Sequence, residues 1–251
     1  MKNSKKLIIA MIFISVIALA VSSIYYNAQN NKEDPRVLHI GEMYKNYNQY
    51  VRDNDQNMAL AVLDSIQIEY QKIEHYQDSY EVGVVLVNKS AVYLTQALAL
   101  ENDDNQKEIL LNTSEELLQE ALVVYQKWNG EYSELSNAEL AEKVSYDFNN
   151  IEKNQTKVIN RRIEMINLAL QEMDRRYSVI YSNLGIIKRH KFKQNEAIEY
   201  YKIAIEYWDE NLTAKSNLNV LMGEEPIKRN LIQKLFPPER GSSKDLKKVK
   251  R

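Results

Sequence analysis

Apolar residues recur along most of this chain at intervals of three and four, the spacing that gathers them on one face of an α-helix. Leu38, Met43, Tyr44, Tyr47 and Val51 mark the first such face, and Met58, Leu60, Val62, Leu63, Ile66, Tyr70 and Ile73 mark the second. A third run passes through Val82, Val85, Leu86, Val92, Tyr93 and Leu98, with Asp78 and Glu81 spaced as an N-cap and capping box. The fourth carries Ile109, Leu110, Leu117, Leu118, Ala121, Val124 and Tyr125 and is expected to stop at Asn129-Gly130. A fifth opens at Ser136, with Glu139 as its capping-box partner, and no strong breaker follows until His190. One helix of that length would reach roughly 80 Å, so turns are predicted near residues 149–156 and 175–178. No stretch alternates with period two, and Pro35, Pro226, Pro237 and Pro238 all lie outside 36–225. The pattern predicts an all-α body.

The N-terminal end has a different pattern. Leu7 to Tyr26 carries no charge, and about 20 such residues suffice to cross a hydrocarbon core. Lys2, Lys5 and Lys6 make residues 1–6 basic, while residues 27–35 form a polar, electrically mixed linker. The positive-inside bias then keeps the N-terminus cytoplasmic and sends the body across. A cleaved signal peptide with Ala18-Leu19-Ala20 as its processing site is the competing reading. Against it, Val21, Ile24 and the Tyr25-Tyr26 pair extend the run into an interfacial aromatic anchor.

Charge narrows the class of partner. The chain has a formal net charge of -2, but residues 1–6 contribute +3 and residues 239–251 contribute +4, which leaves the body at -9. An acidic body does not suit nucleic acid, which calls for a clustered basic face. The absence of cysteine excludes disulfides, thiolate metal sites and cysteine nucleophiles. His39, His75 and His190 stand far apart and outside metal-ligand spacing, and the acidic run at 101–108 lacks the glycine and late glutamate of a calcium loop. No glycine-rich phosphate loop or nucleophile elbow occurs, so neither catalysis nor a cofactor is expected. Asn-x-Ser/Thr triplets begin at Asn88, Asn112, Asn154 and Asn211 and would matter only in a eukaryotic secretory host.

Within the stretch 178–211 the pattern becomes specific. Tyr181, Leu184 and Gly185 on one helix are followed by Ala197, Tyr201 and Ala204 on the next, and Leu218 stands 34 residues after Leu184. These positions resemble the signature of the tetratricopeptide repeat, a helix-turn-helix unit of 34 residues. Gly185, Ala197 and Ala204 fall where such helices approach closely, with residues 212–222 in the place of a capping helix. Lys188 and Asp209 depart from the tyrosine and proline usual at their positions, and Ile40-Gly41 with Tyr44 is only a fragment of the pattern.

The resemblance implies a curved solenoid over residues 36–236 whose first helices offer a concave binding surface. On this register that surface includes Val179, Ser182, Asn183, Ile186 and Arg189, then Ser216, Asn217 and Val220. Ser182 and Ile186 replace two residues of the clamp that some members use for acidic chaperone tails, so another peptide or protein is expected there. Trp208-Asp209 and Ala214-Lys215-Ser216-Asn217-Leu218 are similar to a stretch in the small anchored repeat proteins encoded with MoxR-type ATPases and von Willebrand A proteins. The implied role is a single-pass adaptor of the bacterial inner membrane, its domain extracytoplasmic, binding another protein in envelope assembly or quality control. A helical spacer or homo-oligomerisation module, and a small-molecule or glycan receptor, are the alternative classes. At the far end, residues 226–236 can form a short amphipathic helix ended by Pro237-Pro238, and 237–251 read as a basic tail suited to acidic partners or anionic headgroups.

Overall fold

A computed structural model of the chain describes residues 33–101, 103–152 and 154–227. The expected membrane segment at 7–26, most of the linker, the amphipathic stretch beyond Ile227 and the basic tail lie outside the described residues. Among the described residues every regular element is helical: α1 (Leu38–Arg52), α2 (Gln56–Lys72), α3 (Tyr80–Ala99), α4 (Asp104–Tyr132), α5 (Asn137–Asp147), α6 (Gln155–Gln171), α7 (Met173–His190), α8 (Gln194–Tyr207) and α9 (Leu212–Leu221).

The chain divides into two compact units. The smaller one joins residues 33–38 to Asn137–Met165. Leu140, Val144, Phe148, Ile151 and Val158 form its interior. The Arg36 guanidinium lies 5.0 Å from the Phe148 ring centroid and donates to the buried Asp34 carboxylate at 2.8 Å. Arg161 Nε donates to Glu33 at 3.0 Å, so residues 33–36 are tied to α5 and α6 instead of forming solvated linker. The turn expected near 149–156 is present, and the Gln155 amide closes it by donating to the Asn149 carbonyl at 2.9 Å.

Among the described residues the larger unit spans His39–Ser136 and residues 166–227. Its centre is the antiparallel hairpin of α3 and α4, with α2 against α3, α7 against α4, α8 antiparallel to α7, and α9 against both α8 and α7. α3 is long and apolar enough to cross a membrane, but Val85, Leu86 and Ala97 are fully buried within this unit, which explains its apolar composition.

Each hairpin is drawn together at one glycine. A β-carbon added to Gly83 on α3 would lie 2.2 Å from the Tyr125 ring of α4, and one added to Gly185 on α7 would lie 2.5 Å from the Tyr201 ring of α8. Both tyrosines are buried and follow a fully buried alanine by four residues, Ala121-Tyr125 and Ala197-Tyr201. The missing side chain is therefore occupied by an aromatic ring. Buried hydroxyls pin the same registers. Ser114 Oγ donates to the Ser90 carbonyl at 3.0 Å, which leaves Ser90 Oγ to donate to Ser114 Oγ at 2.8 Å. In the second hairpin Ser178 Oγ donates to the Ala204 carbonyl at 2.6 Å. Asn211 then donates to Ser178 Oγ at 2.9 Å while its Oδ1 caps α9 through the Ala214 amide at 2.9 Å.

Three boundaries differ from the sequence reading. Asp78 does not cap α3; it pairs with Lys127 at 2.8 Å, and the N-cap residue is Ser79, whose Oγ donates to the Tyr76 carbonyl. α4 does not stop at Asn129-Gly130 but continues to Tyr132, because buried Trp128 stacks on Tyr132 with ring centroids 5.0 Å apart. That packing outweighs the helix cost of one glycine, about 1 kcal/mol. The break expected at 175–178 falls at Glu172, where Met173 already begins the buried face of α7.

Gly83→Ala and Gly185→Ala should each lower the free energy of unfolding by about 1–3 kcal/mol, since a buried ring must move. Gly41 and Gly130 have nothing within 4 Å of an added β-carbon, so alanine at either should raise it by up to about 1 kcal/mol. Denaturant titration of the four variants checks the opposite signs. Asn211→Ala removes both the cap of α9 and the donor to Ser178, and the same titration should show a loss of about 2 kcal/mol.

Candidate functional site

The residues expected to pack the repeat lie where α7, α8 and α9 meet. Leu184, Gly185, Ala197, Tyr201 and Ala204 are buried, and Tyr181 and Leu218 are half-buried against the cluster that Ala197, Tyr201, Ala204 and Ala214 form. Burial pushes the Tyr201 phenol up to about 12, and its hydroxyl has no hydrogen-bond partner among the described residues.

The residues expected to line a groove separate into four groups. Val179 and Asn183 are half-exposed on α7, as Asn217 is on α9. Ser182 is buried, 3% exposed, and Ile186 packs against the α8–α9 cluster, so Ser182 offers no surface to a ligand. Ser216 Oγ accepts from the Ile227 amide at 3.1 Å. Arg189 and Val220 come together in a cleft of about 860 Å³ at one edge of the larger unit.

The cleft arises from a difference in hairpin length. Lys188 and Lys191, near the C-terminal end of α7, both pair with Glu115 of α4, which sets the α7–α8 turn level with that residue. α4 extends from Glu115 back to Asp104, so it runs roughly 16 Å past the turn. Asp104, Lys107, Glu108, Leu111 and Asn112, one face of that arm, form the wall. The floor is Arg189 to Gln194, and Val220 with Leu221 closes the α9 side.

Electrostatics hold the step in place. Lys188, 8% exposed, bridges Glu115 at 2.7 Å and Glu196 at 3.0 Å. Burial alone would push the Glu115 carboxyl up, but hydrogen bonds from Lys188 and Lys191 outweigh it and hold the carboxyl below its usual range. Burial likewise opposes charge on Lys188, and the bonds to Glu115 and Glu196 outweigh it, so its ammonium is held above its usual range. Inside the cleft His190 is half-buried, and burial followed by the positive charges of Lys107 and Arg189 lowers its pKa. Neither Lys107 nor Arg189 has an ion-pair partner among the described residues.

The α7–α8 turn is a Schellman motif. Lys193 N–H donates to the Lys188 carbonyl at 2.9 Å and Phe192 N–H to the Arg189 carbonyl at 3.1 Å. Phe192 occupies the left-handed position, φ 59°, with 91% of its side chain in water. The same pair of bonds closes α1 around Asn54 and α9 around Gly223. Those two ends carry residues suited to positive φ, whereas the end facing the cleft carries a phenylalanine.

The cleft was only partly visible in the sequence. Arg189 and Val220 were on the expected surface, but the α4 wall and Phe192 were not. Among the described residues no group of three or more His, Asp or Glu side chains could hold a metal ion. No family model, curated protein or solved structure matches this chain.

The Glu115 network makes stability depend on acid. A carboxyl held lower in the folded than in the unfolded state stabilises the fold above its unfolded pKa, near 4.5, and that contribution is lost as pH falls through the folded value. Thermal melts from pH 7 to pH 3 should show a steeper loss for the natural chain than for Glu115→Gln, whose profile should be flatter below about pH 4.5.

Proposed function

We propose that this chain is a tetratricopeptide-like helical array, anchored in a membrane through residues 7–26, that binds another protein outside the cytoplasm. The observation that carries the reading is the repeated close approach of glycine and tyrosine in two hairpins that pack one on the other, followed by α9 on α8. Stacked helical hairpins bury a continuous core and keep one face of their first helices for a ligand. On α7 that face would present Val179 and Asn183, with Arg189 at its end and Asn217 contributed by α9. A mixed polar and apolar surface suits a peptide or helix, and the acidic body disfavours nucleic acid.

The location rests on the uncharged run at 7–26 and the three lysines before it. Such placement suits an adaptor in envelope assembly or quality control. A photo-crosslinking residue at Asn183, used in the native cell, should trap a defined protein that the exposed Lys202 on α8 does not. Equal adducts from both positions would refute a binding face on α7. Protease added to intact spheroplasts should digest the body, and full protection would refute the orientation.

A further inference from the structure

The face that α7 turns to α8 has a counterpart on α9, 34 residues later. On α7 it consists of Ser178, Ser182 and Gly185, all buried, with α8 held there by the Ser178–Ala204 bond and the Tyr201 ring. The positions 34 residues on are Leu212, Ser216 and Asn219, all half-buried. A side chain now stands where Gly185 has none, so the approach that admits Tyr201 is closed to a helix following α9.

That face is engaged in another way. The chain turns at Gly223, φ 80°, and runs back along α9: Asn219 Nδ2 donates to the Glu225 carbonyl at 3.4 Å, and the Ile227 amide donates to Ser216 Oγ at 3.1 Å. This course leads away from Val220 and Leu221, and so from the cleft.

The sequence that continues from Ile227 is strongly apolar and basic. Ile227, Leu231, Ile232, Leu235 and Phe236 are spaced to share one side of a helix, Arg229 and Lys234 flank that side, and no acid falls among residues 227–236. Across 228–251 nine basic residues stand against two acidic ones, a net +7. Five large apolar side chains within ten residues call for an apolar partner, and the middle of the α9 face is occupied by hydrogen bonds to 225–227. An apolar side edged by cations is the composition of a helix that lies in a membrane interface.

We propose that residues 227–236 dock, apolar side inward, on an anionic membrane surface, with the basic tail 237–251 along the headgroups. The chain then meets the membrane at both ends. This rests on the anchor at 7–26 proposed above. From that anchor six residues lead to Glu33, at most about 20 Å when extended, so the surface is always close and the second contact forms at high effective concentration.

Because the chain has no cysteine, Leu235→Cys can carry an environment-sensitive dye, and Gln233→Cys on the polar side is its control. The full-length variants are reconstituted in vesicles of phosphatidylcholine alone or of its equal mixture with phosphatidylglycerol. In the mixed vesicles the dye at 235 should shift to the blue and be quenched by brominated lipid about three-fold more than the dye at 233. High salt or deletion of 237–251 should reduce the shift. Equal spectra in the two lipids, or equal quenching at the two positions, would overturn the proposal. A blue shift without lipid quenching would place the segment on the protein itself and overturn it too. So would photo-crosslinking from Leu235 in the native cell that traps a defined protein as the main adduct. Alkaline carbonate treatment of the vesicles separates this proposal from the anchor: a chain that resists extraction yet leaves position 235 unquenched removes this proposal alone, and an extracted chain removes both.

Discussion

The larger unit depends on how closely two helices can approach when one of them lacks a side chain. Gly83 and Gly185 let the rings of Tyr125 and Tyr201 lie against bare backbone, nearer than any β-carbon allows. Each glycine gives up about 1 kcal/mol of helix propensity, and burial of a whole tyrosine ring more than offsets it. The approach also sets register, because the serine hydroxyls on the same helices find partners only at that separation: Ser90 with Ser114, and Ser178 with Ala204 and Asn211. Polar groups buried this way specify one alignment, since any slip would leave them unsatisfied.

With both hairpins drawn together, the ion network decides how they are offset. Lys188 and Lys191 meet Glu115 partway along α4, so the short hairpin ends there and the long one continues. Apolar contact alone tolerates sliding, whereas charges this poorly exposed lose far more when separated from their partners. The uncovered arm of α4 follows from that fixed offset, and Phe192 stands at its foot. Packing, electrostatics and the shape of the cleft are thus one sequence of causes.

Much of this was legible in the chain. Helix periodicity located the elements, and Gly185, Ala197, Tyr201 and Ala204 were visible as a packing set because the α7–α8 hairpin is short and brings its signature within twenty residues. Gly83 and Tyr125 do the same work 42 positions apart, separated by two long arms, and no local spacing marks them. The α4 boundary was misread because Asn129-Gly130 is a good stop in isolation, whereas the stacking of Trp128 on Tyr132 decides the matter. Neither glycine nor proline marks Glu172, so that break is set by packing alone. Phe192 was missed for a complementary reason: a left-handed cap is recognised by glycine or asparagine, and a phenylalanine hides it.

The central claim is an energetic coupling between one absent side chain and one ring. A double-mutant cycle joining Gly185→Ala and Tyr201→Leu, read by denaturant unfolding, measures it directly. The alanine should cost much less when leucine replaces the tyrosine, giving a coupling of about 1–2 kcal/mol. Additivity within about 0.5 kcal/mol would contradict the account, because the ring would then have no part in what Gly185 allows.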